Sequence, residues 1–520
     1  LSQYFSAQPA PAFYPENCLE FMPFPGFPLE PDATYAAVVL KKLKDANGAP
    51  LGAAGLVKRA LAGAKSGDAY GDKLVDSFKL LRDAINAGKT GFKADDVASA
   101  ALFKTQNPMD ELLKIRDYAE NAAPKPTQLD VKRRSDKDRL FYYAFDGHYN
   151  APNFQQGEIP YSSSGGGFAF ESDGKTPVVA FTEKLRFRLA IPKNLEEPAD
   201  GWPVVIYIHG TGGDYETCCQ AKDSSEASVI TPKGIALISI DLPLHGERKQ
   251  GLNFDESVMS FNYMNPDSGR TSFRQAAADV FFILELLKGG TVSVPASISP
   301  TNKDIKLSKT NILFMGHSHG GITGSIAVPL LKDIPGGVFS GAGGFLTYTI
   351  LYRKEGIDVM GTLKYVLGIA EEEEVGPLHP VVNLLQTIID VSDPVNYAPY
   401  YVSKALFGRG KSMMYTSGYW DQDTPYQTNE TLMVAAGFPQ INPIGWTIEG
   451  MGLKGIAPID MPAQGNLQGP DGFFVTAGVC QYKRDKKTDD HFVIYNDKTL
   501  WERYANFLEA LAKNGVGLIK

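Results

Sequence analysis

Positive charge, cysteine and long apolar runs are all scarce in this chain, and each scarcity narrows what it can do. The 520 residues carry 51 Lys+Arg against 59 Asp+Glu, a formal net charge of −8. A nucleic-acid binder presents a basic face, so this balance argues against one. The four cysteines, Cys18, Cys218, Cys219 and Cys480, are too few for a disulfide scaffold. Their spacing also lacks the paired ligands of a zinc site. One or two disulfides stay open, and a bond from the adjacent pair Cys218-Cys219 is the expectation. No apolar run approaches the ~18 residues of a membrane-spanning helix. With 52 Gly and 34 Pro, the composition is neither collagenous nor low-complexity. The chain starts at Leu1 with no basic-then-apolar leader. That start fits a trimmed chain and an exported protein that has lost its signal equally well.

What is present is globular. Hydrophobic residues make up 43% and charged residues 21%, which excludes a disordered chain and supplies a large core. At roughly 150 residues per domain the length suggests about three domains, or one large domain with appendages. Residues 1–52 are Pro- and Phe-rich up to Pro28. Thr34–Leu40 then alternates as a strand, followed by an Asp45-Ala46-Asn47-Gly48 turn. Residues 53–127 carry apolar residues at helical spacing, such as Leu74, Phe78, Leu81 and Ile85, and end in a Pro-containing linker. From 128 to 520 strands appear at 140–145 and 185–191. Continuous apolar β runs at 204–208, 235–240 and 312–315 then alternate with helical stretches, and a last strand is expected at 472–477. The fold class is α/β, with a mostly parallel central sheet covered by helices.

The strongest chemical signal is Gly316-His317-Ser318-His319-Gly320-Gly321, between a buried strand and a helical pattern. A strand–Ser–helix turn places the hydroxyl on a sharp elbow at the carboxyl edge of the sheet, and its glycines relieve crowding there. A second signal is the strand at 204–208 running into His209-Gly210-Thr211-Gly212-Gly213. Its free backbone N–H groups suit an oxyanion, and the Lys of a phosphate-binding loop is absent. Thr211 is the first candidate donor and Gly212 the second, joined by the N–H of His319.

A serine needs a base. Of His148, His209, His245, His317, His319, His379 and His491, only His491 lies after the last expected strand, where the final triad member belongs. His317 and His319 flank the serine and point away from its hydroxyl. The orienting acid should fall between serine and base. Asp421 fits the Gly-x-x-Asp-x-x-x-Pro pattern after the strand near 411–416, ahead of its neighbour Asp423.

On these residues, 185–515 resemble the α/β-hydrolase superfamily, with the His209-Gly210 loop, the Ser318 elbow, Asp421 and His491 in its order. The Gly201-Trp202-Pro203 lead-in, the Asp241…His245-Gly246 string and Arg274-Gln275…Asp279 resemble secreted bacterial lipases and esterases with a long N-terminal extension. The stretch from Pro31 to Gly48 resembles the end of a bacterial Ig-like module. The resemblance implies ester hydrolysis without a metal or organic cofactor, on a small-molecule, lipid or polyester substrate. It also implies a secreted or cell-envelope location.

Two segments are expected to shape specificity. One is the loop with Phe261 and Tyr263. The other is a cap at 345–407, read either as an apolar lid or as an ordinary helical layer. Trp420 beside Asp421 is a candidate rim residue, and an insert at 438–470 separates acid from base. An apolar lining implies kcat/KM rising from acetyl to medium-chain esters. A serine peptidase of the same fold is the alternative, and a non-catalytic binding module would need a broken triad.

Overall fold

The computed structural model describes residues 2–5, 13, 19–355, 358–371, 373–484 and 489–520, so Cys18 lies outside the described residues. The apolar runs of the sequence become neighbouring strands. In chain order the main sheet contains β1 (Gln128–Arg133), β2 (Tyr142–Asn153), β3 (Phe181–Pro192), β4 (Trp202–Ile208) and β5 (Ala236–Ile240). It continues with β6 (Ile305–His317), β7 (Gly336–Ser340), β8 (Ser412–Gly418) and β9 (Ala477–Tyr482). Hydrogen bonding runs β9-β8-β7-β6-β4-β5-β3-β2-β1, and the two-residue strand Ser293–Val294 joins β6 as a tenth member. From β9 to β5 all pairs are parallel. At the other end β3 is antiparallel to β5 and β2, and β2 to β1.

Helices cover both faces, which is why β4 and β5 read as unbroken apolar runs rather than alternating ones. On one face Val204, Ile206 and Ile208 meet helix α1 (Pro266–Lys288) and helix α2 (His319–Ala327) in one core. On the other, Val205, Tyr207, Leu313 and Met315 meet helix α3 (Lys498–Asn514). The strand expected at 472–477 lies too early. The parallel strand is β9, which starts at Ala477, and the two-residue strand Phe474–Val475 inside the expected span pairs with Leu467–Gln468 in a separate small sheet. The cap region sits between β7 and β8 and contains helices Thr347–Tyr352, Val359–Leu367 and Pro380–Ile389.

Leu29–Asn107 forms a separate compact unit, while Leu1–Pro28 and Pro108–Lys520 form the other. These limits differ from the breaks at 52 and 127 suggested by composition. Within the smaller unit Thr34–Leu40 pairs antiparallel with Val97–Lys104, and helices Gly55–Ala62, Ala69–Ser77 and Lys79–Asn86 pack around Ala60, Phe78, Leu81 and Val97. An Ig-like module needs two packed sheets. Two strands and three helices do not supply them.

Candidate active site

Ser318 sits between the end of β6 and the start of α2 with φ 55 and ψ −119, a conformation that L residues rarely adopt. Its flanking glycines are required by space. A Cβ on Gly316 would lie 2.2 Å from the Gly320 carbonyl oxygen, and one on Gly320 would lie 1.9 Å from the carbonyl oxygen of Ile208. The strain is held by packing, with the Ser318 N–H donating to Ser340 O at 2.8 Å.

His491 lies in the turn Asp490–Phe492, after β9, and Asp421 in the loop after β8. The His491 Nδ1 is 2.9 Å from both carboxylate oxygens of Asp421. A carboxylate has no proton to give, so Nδ1 carries the hydrogen and Nε2 is the bare nitrogen. Asp421 Oδ1 also accepts from the N–H groups of Asp423 at 3.0 Å and Thr424 at 2.7 Å. Burial is the largest influence on His491 and pulls it down. The Asp421 charge and hydrogen bond, aided by Asp423 and Asp489, overcome it and hold the imidazole above its ordinary value. Burial pushes the Asp421 carboxyl up, opposed by His491. Asp423 is used differently: it pairs with Arg353 at 3.1 Å.

Ser318 and His491 line one cavity of about 240 Å³, together with Phe261, Ile322, Leu346, Thr349, Arg353 and Phe492. No hydrogen bond joins their side chains among the described residues. Of the expected substrate residues, Phe261 lines this cavity, whereas Tyr263 and Trp420 do not. Tyr263 packs under the cap beside Ile350, Val359 and Leu363. Trp420 faces the other way, its indole N–H donating to Arg484 O at 3.1 Å. Leu346, Thr349 and Arg353 lie in the cap expected at 345–407, and their spacing of three and four, which puts them on one helical face, is the signal for Thr349.

The glycine-rich loop also departs from expectation. The Gly212 N–H donates to His245 Nε2 at 3.1 Å, so it is occupied. His245 Nδ1 lies 2.8 Å from the Pro243 carbonyl and therefore carries the ring hydrogen, leaving Nε2 to accept. Burial holds His245 neutral by lowering its pKa. His209 braces the same loop, accepting from Leu242 N–H at 3.0 Å through Nε2, with Nδ1 2.7 Å from Gly210 O; burial pushes it down to about 3. Thr211 N–H and His319 N–H, the latter at the first turn of α2 where helix donors are unsatisfied, have no acceptor among the described residues. His317 and His319 are buried and held neutral by that burial.

The cysteines depart as well. Cys218, Cys219 and Cys480 are buried free thiols, with 2.9 Å between the sulfurs of the adjacent pair. Among the described residues no group of three or more His, Cys, Asp or Glu could hold a metal ion, and no helix is long and apolar enough to cross a membrane.

No family model and no curated protein matches the chain. Solved structures do. An acetyl xylan esterase from Paenibacillus sp. R4 matches with a TM-score of 0.41 at 14% identity, covering 64% of this chain and 85% of that one. Acetyl xylan esterase 1 from Thermoanaerobacterium sp. JW/SL YS485 matches with a TM-score of 0.40 at 13% identity, covering 73% and 89%. The acylaminoacyl peptidase of Pyrococcus horikoshii matches with a TM-score of 0.36 at 11% identity, covering 63% and 39%. Such distant likenesses assign no activity. The chain's own topology identifies the architecture, because a mostly parallel sheet between helical layers ends one strand in a serine elbow and carries an acid and then a histidine on later strand ends: the fold is that of the α/β-hydrolase superfamily.

Proposed function

We propose that the protein is a carboxylic-ester hydrolase that works through an acyl-serine intermediate. The observation that carries this reading is the His491 Nδ1 on the Asp421 carboxylate, with Ser318 on the wall of the same cavity. In the reaction, His491 Nε2 takes the proton of Ser318 Oγ as Oγ bonds to the ester carbonyl carbon. The carbonyl oxygen becomes an oxyanion received by the N–H groups of Thr211 and His319. Collapse breaks the bond to the alcohol oxygen, which leaves with the proton from His491. Water then attacks the acyl-serine by the same route, releasing the acid and returning the proton to Ser318. Asp421 fixes the imidazole tautomer throughout. The Ser318–His491 hydrogen bond belongs to the Michaelis complex, where such bonds tighten.

A cavity of about 240 Å³ bounds the acyl group, since at about 30 Å³ for a water-sized group it has room for roughly eight such groups. The rise toward medium-chain esters expected from the apolar segments should therefore end once this space is filled. Peptidase action gains nothing from Arg353, whose charge is already matched by Asp423. Assays with p-nitrophenyl esters of increasing chain length, beside aminoacyl-p-nitroanilides, test the reading. The expected result is ester turnover that rises from acetyl to a medium acyl chain and falls beyond it, with negligible anilide cleavage. Efficient anilide cleavage would move the protein to the peptidases.

A further inference from the structure

A second cavity, of about 390 Å³, adjoins the first, and Gly210, Thr211, His317 and Phe492 line both. Its chemistry is unlike the apolar acyl side. Glu226 lines it at 2% exposure; its carboxyl lies against the Tyr207 and Tyr495 hydroxyls, while its Oε1 has no hydrogen-bond partner. His317 is 4% exposed, and neither of its ring nitrogens has a partner. Tyr207 and Tyr495 add a pair of hydroxyls 3.1 Å apart. Lys222 also lines this cavity, its Nζ 5.5 Å from the centre of the Tyr495 ring.

Buried polar atoms without partners cost about 1–3 kcal/mol each, so this wall is incomplete without something that donates and accepts. A neutral imidazole offers one donor and one acceptor, and a carboxyl oxygen offers an acceptor. A hydroxyl answers all three, because it both donates and accepts. A ligand of either charge fits less well: an anion meets Glu226 and a cation meets Lys222. The position fixes the ligand's part in the reaction. The Gly210-Thr211 segment lines both cavities, as does Phe492, the residue after the proton donor His491. A substrate with its carbonyl at Ser318 and its acyl chain beside Phe261 and Leu346 has its alcohol oxygen toward that shared wall.

We propose that this second cavity holds the leaving alcohol of the ester, and that this alcohol is a neutral polyhydroxy compound, a sugar or polyol, whose hydroxyls satisfy His317 and Glu226. The inference rests on the ester-hydrolase reading and narrows it to acylated carbohydrates or polyols.

The test compares esters that share one acyl group: the monoacetates of glycerol and methyl glucoside against ethyl acetate, with p-nitrophenyl acetate as the control for hydrolase activity. The wild-type protein is expected to favour the polyol acetates in kcat/KM by about tenfold or more, chiefly through KM, the worth of one or two added hydrogen bonds. In Glu226→Leu the ratio between polyol acetate and ethyl acetate is expected to fall toward one. Free methyl glucoside is expected to inhibit wild-type p-nitrophenyl acetate hydrolysis competitively. The wild-type ratio stands even if the variant fails to fold. Turnover of p-nitrophenyl acetate with no preference for polyol esters would overturn the inference and leave the hydrolase reading intact. Hydrolysis of no ester at all would overturn both.

Discussion

Asp421 and Asp423 lie two residues apart in the same loop and do different work. Asp421 gives both carboxylate oxygens to His491, while Asp423 turns to Arg353 in the cap. Asp421→Asn is therefore expected to lower kcat on the order of 10⁴-fold by favouring the wrong imidazole tautomer. Asp423→Asn leaves the partner of His491 in place, so its effect should stay within about tenfold. The reverse ranking in steady-state assays would move the orienting role to Asp423. The same pair sets the pH dependence. As the proposed base, His491 works only when neutral, and Asp421 raises its pKa above the ordinary 6.5. The acid limb of kcat/KM should thus lie above pH 6.5 and should move downward in Asp421→Asn, where the stabilising anion is gone. A limb that stays put would break the link between the two residues. At this scale chain order and a motif together single out Ser318, Asp421 and His491, and the fold sets Asp421 against His491 with Ser318 on the wall of the same cavity. The sequence was silent on which way a side chain faces. Phe261 and Tyr263 are equivalent as letters, yet only Phe261 lines the cavity.

The loop from His209 to Gly213 shows how an element is tuned from outside itself. Its Gly212 N–H is held by His245, a residue of the string after β5 that neither donates to nor accepts from substrate in the proposed reaction. His245→Leu removes the acceptor at similar bulk. The expected outcome is a loss in kcat of about tenfold or more as the loop loosens around Thr211, with KM and the acid limb little changed. A loss of twofold or less would leave His245 as mere packing. The sequence could not reveal this contact, because it joins the ends of two strands through a ring nitrogen and a backbone amide. Strand Val97–Lys104 was hidden for another reason. Ala98-Ser99-Ala100-Ala101-Leu102 favours helix locally, and pairing with Thr34–Leu40 overrides that preference. The buried parallel strands were legible because covering on both faces leaves an unmistakable apolar run.

Across the larger unit, a buried charge cluster ties the antiparallel strand β3 to α1. Arg248 bonds to Glu183 at 2.6 Å and to Asp279 at 2.5 Å, and it donates to the Asp241 carbonyl at 3.1 Å. Arg248→Met would leave two carboxylates buried without their cation, and about 3–5 kcal/mol of stability is the expected loss in denaturant unfolding near neutral pH. Burial already pushes Asp279 up to about 6. Without Arg248 its pKa rises further, so the folded variant binds a proton more readily than the unfolded chain, and the deficit should shrink as the pH falls toward 5. A deficit independent of pH would show that the loss is one of packing alone. Arg248 and Asp279 lie in stretches that the sequence marked only by resemblance, since nothing in spacing joins residues 183, 248 and 279.

The central claim is that Ser318 is the nucleophile. Its most direct test is reaction with a p-nitrophenyl phosphonate, followed by intact mass and peptide mapping. The account predicts one covalent phosphonyl group per chain, on the peptide containing Ser318, with loss of ester hydrolysis in step with labelling and no adduct on Ser318→Ala. An adduct on another residue, or full labelling of Ser318→Ala, would contradict it.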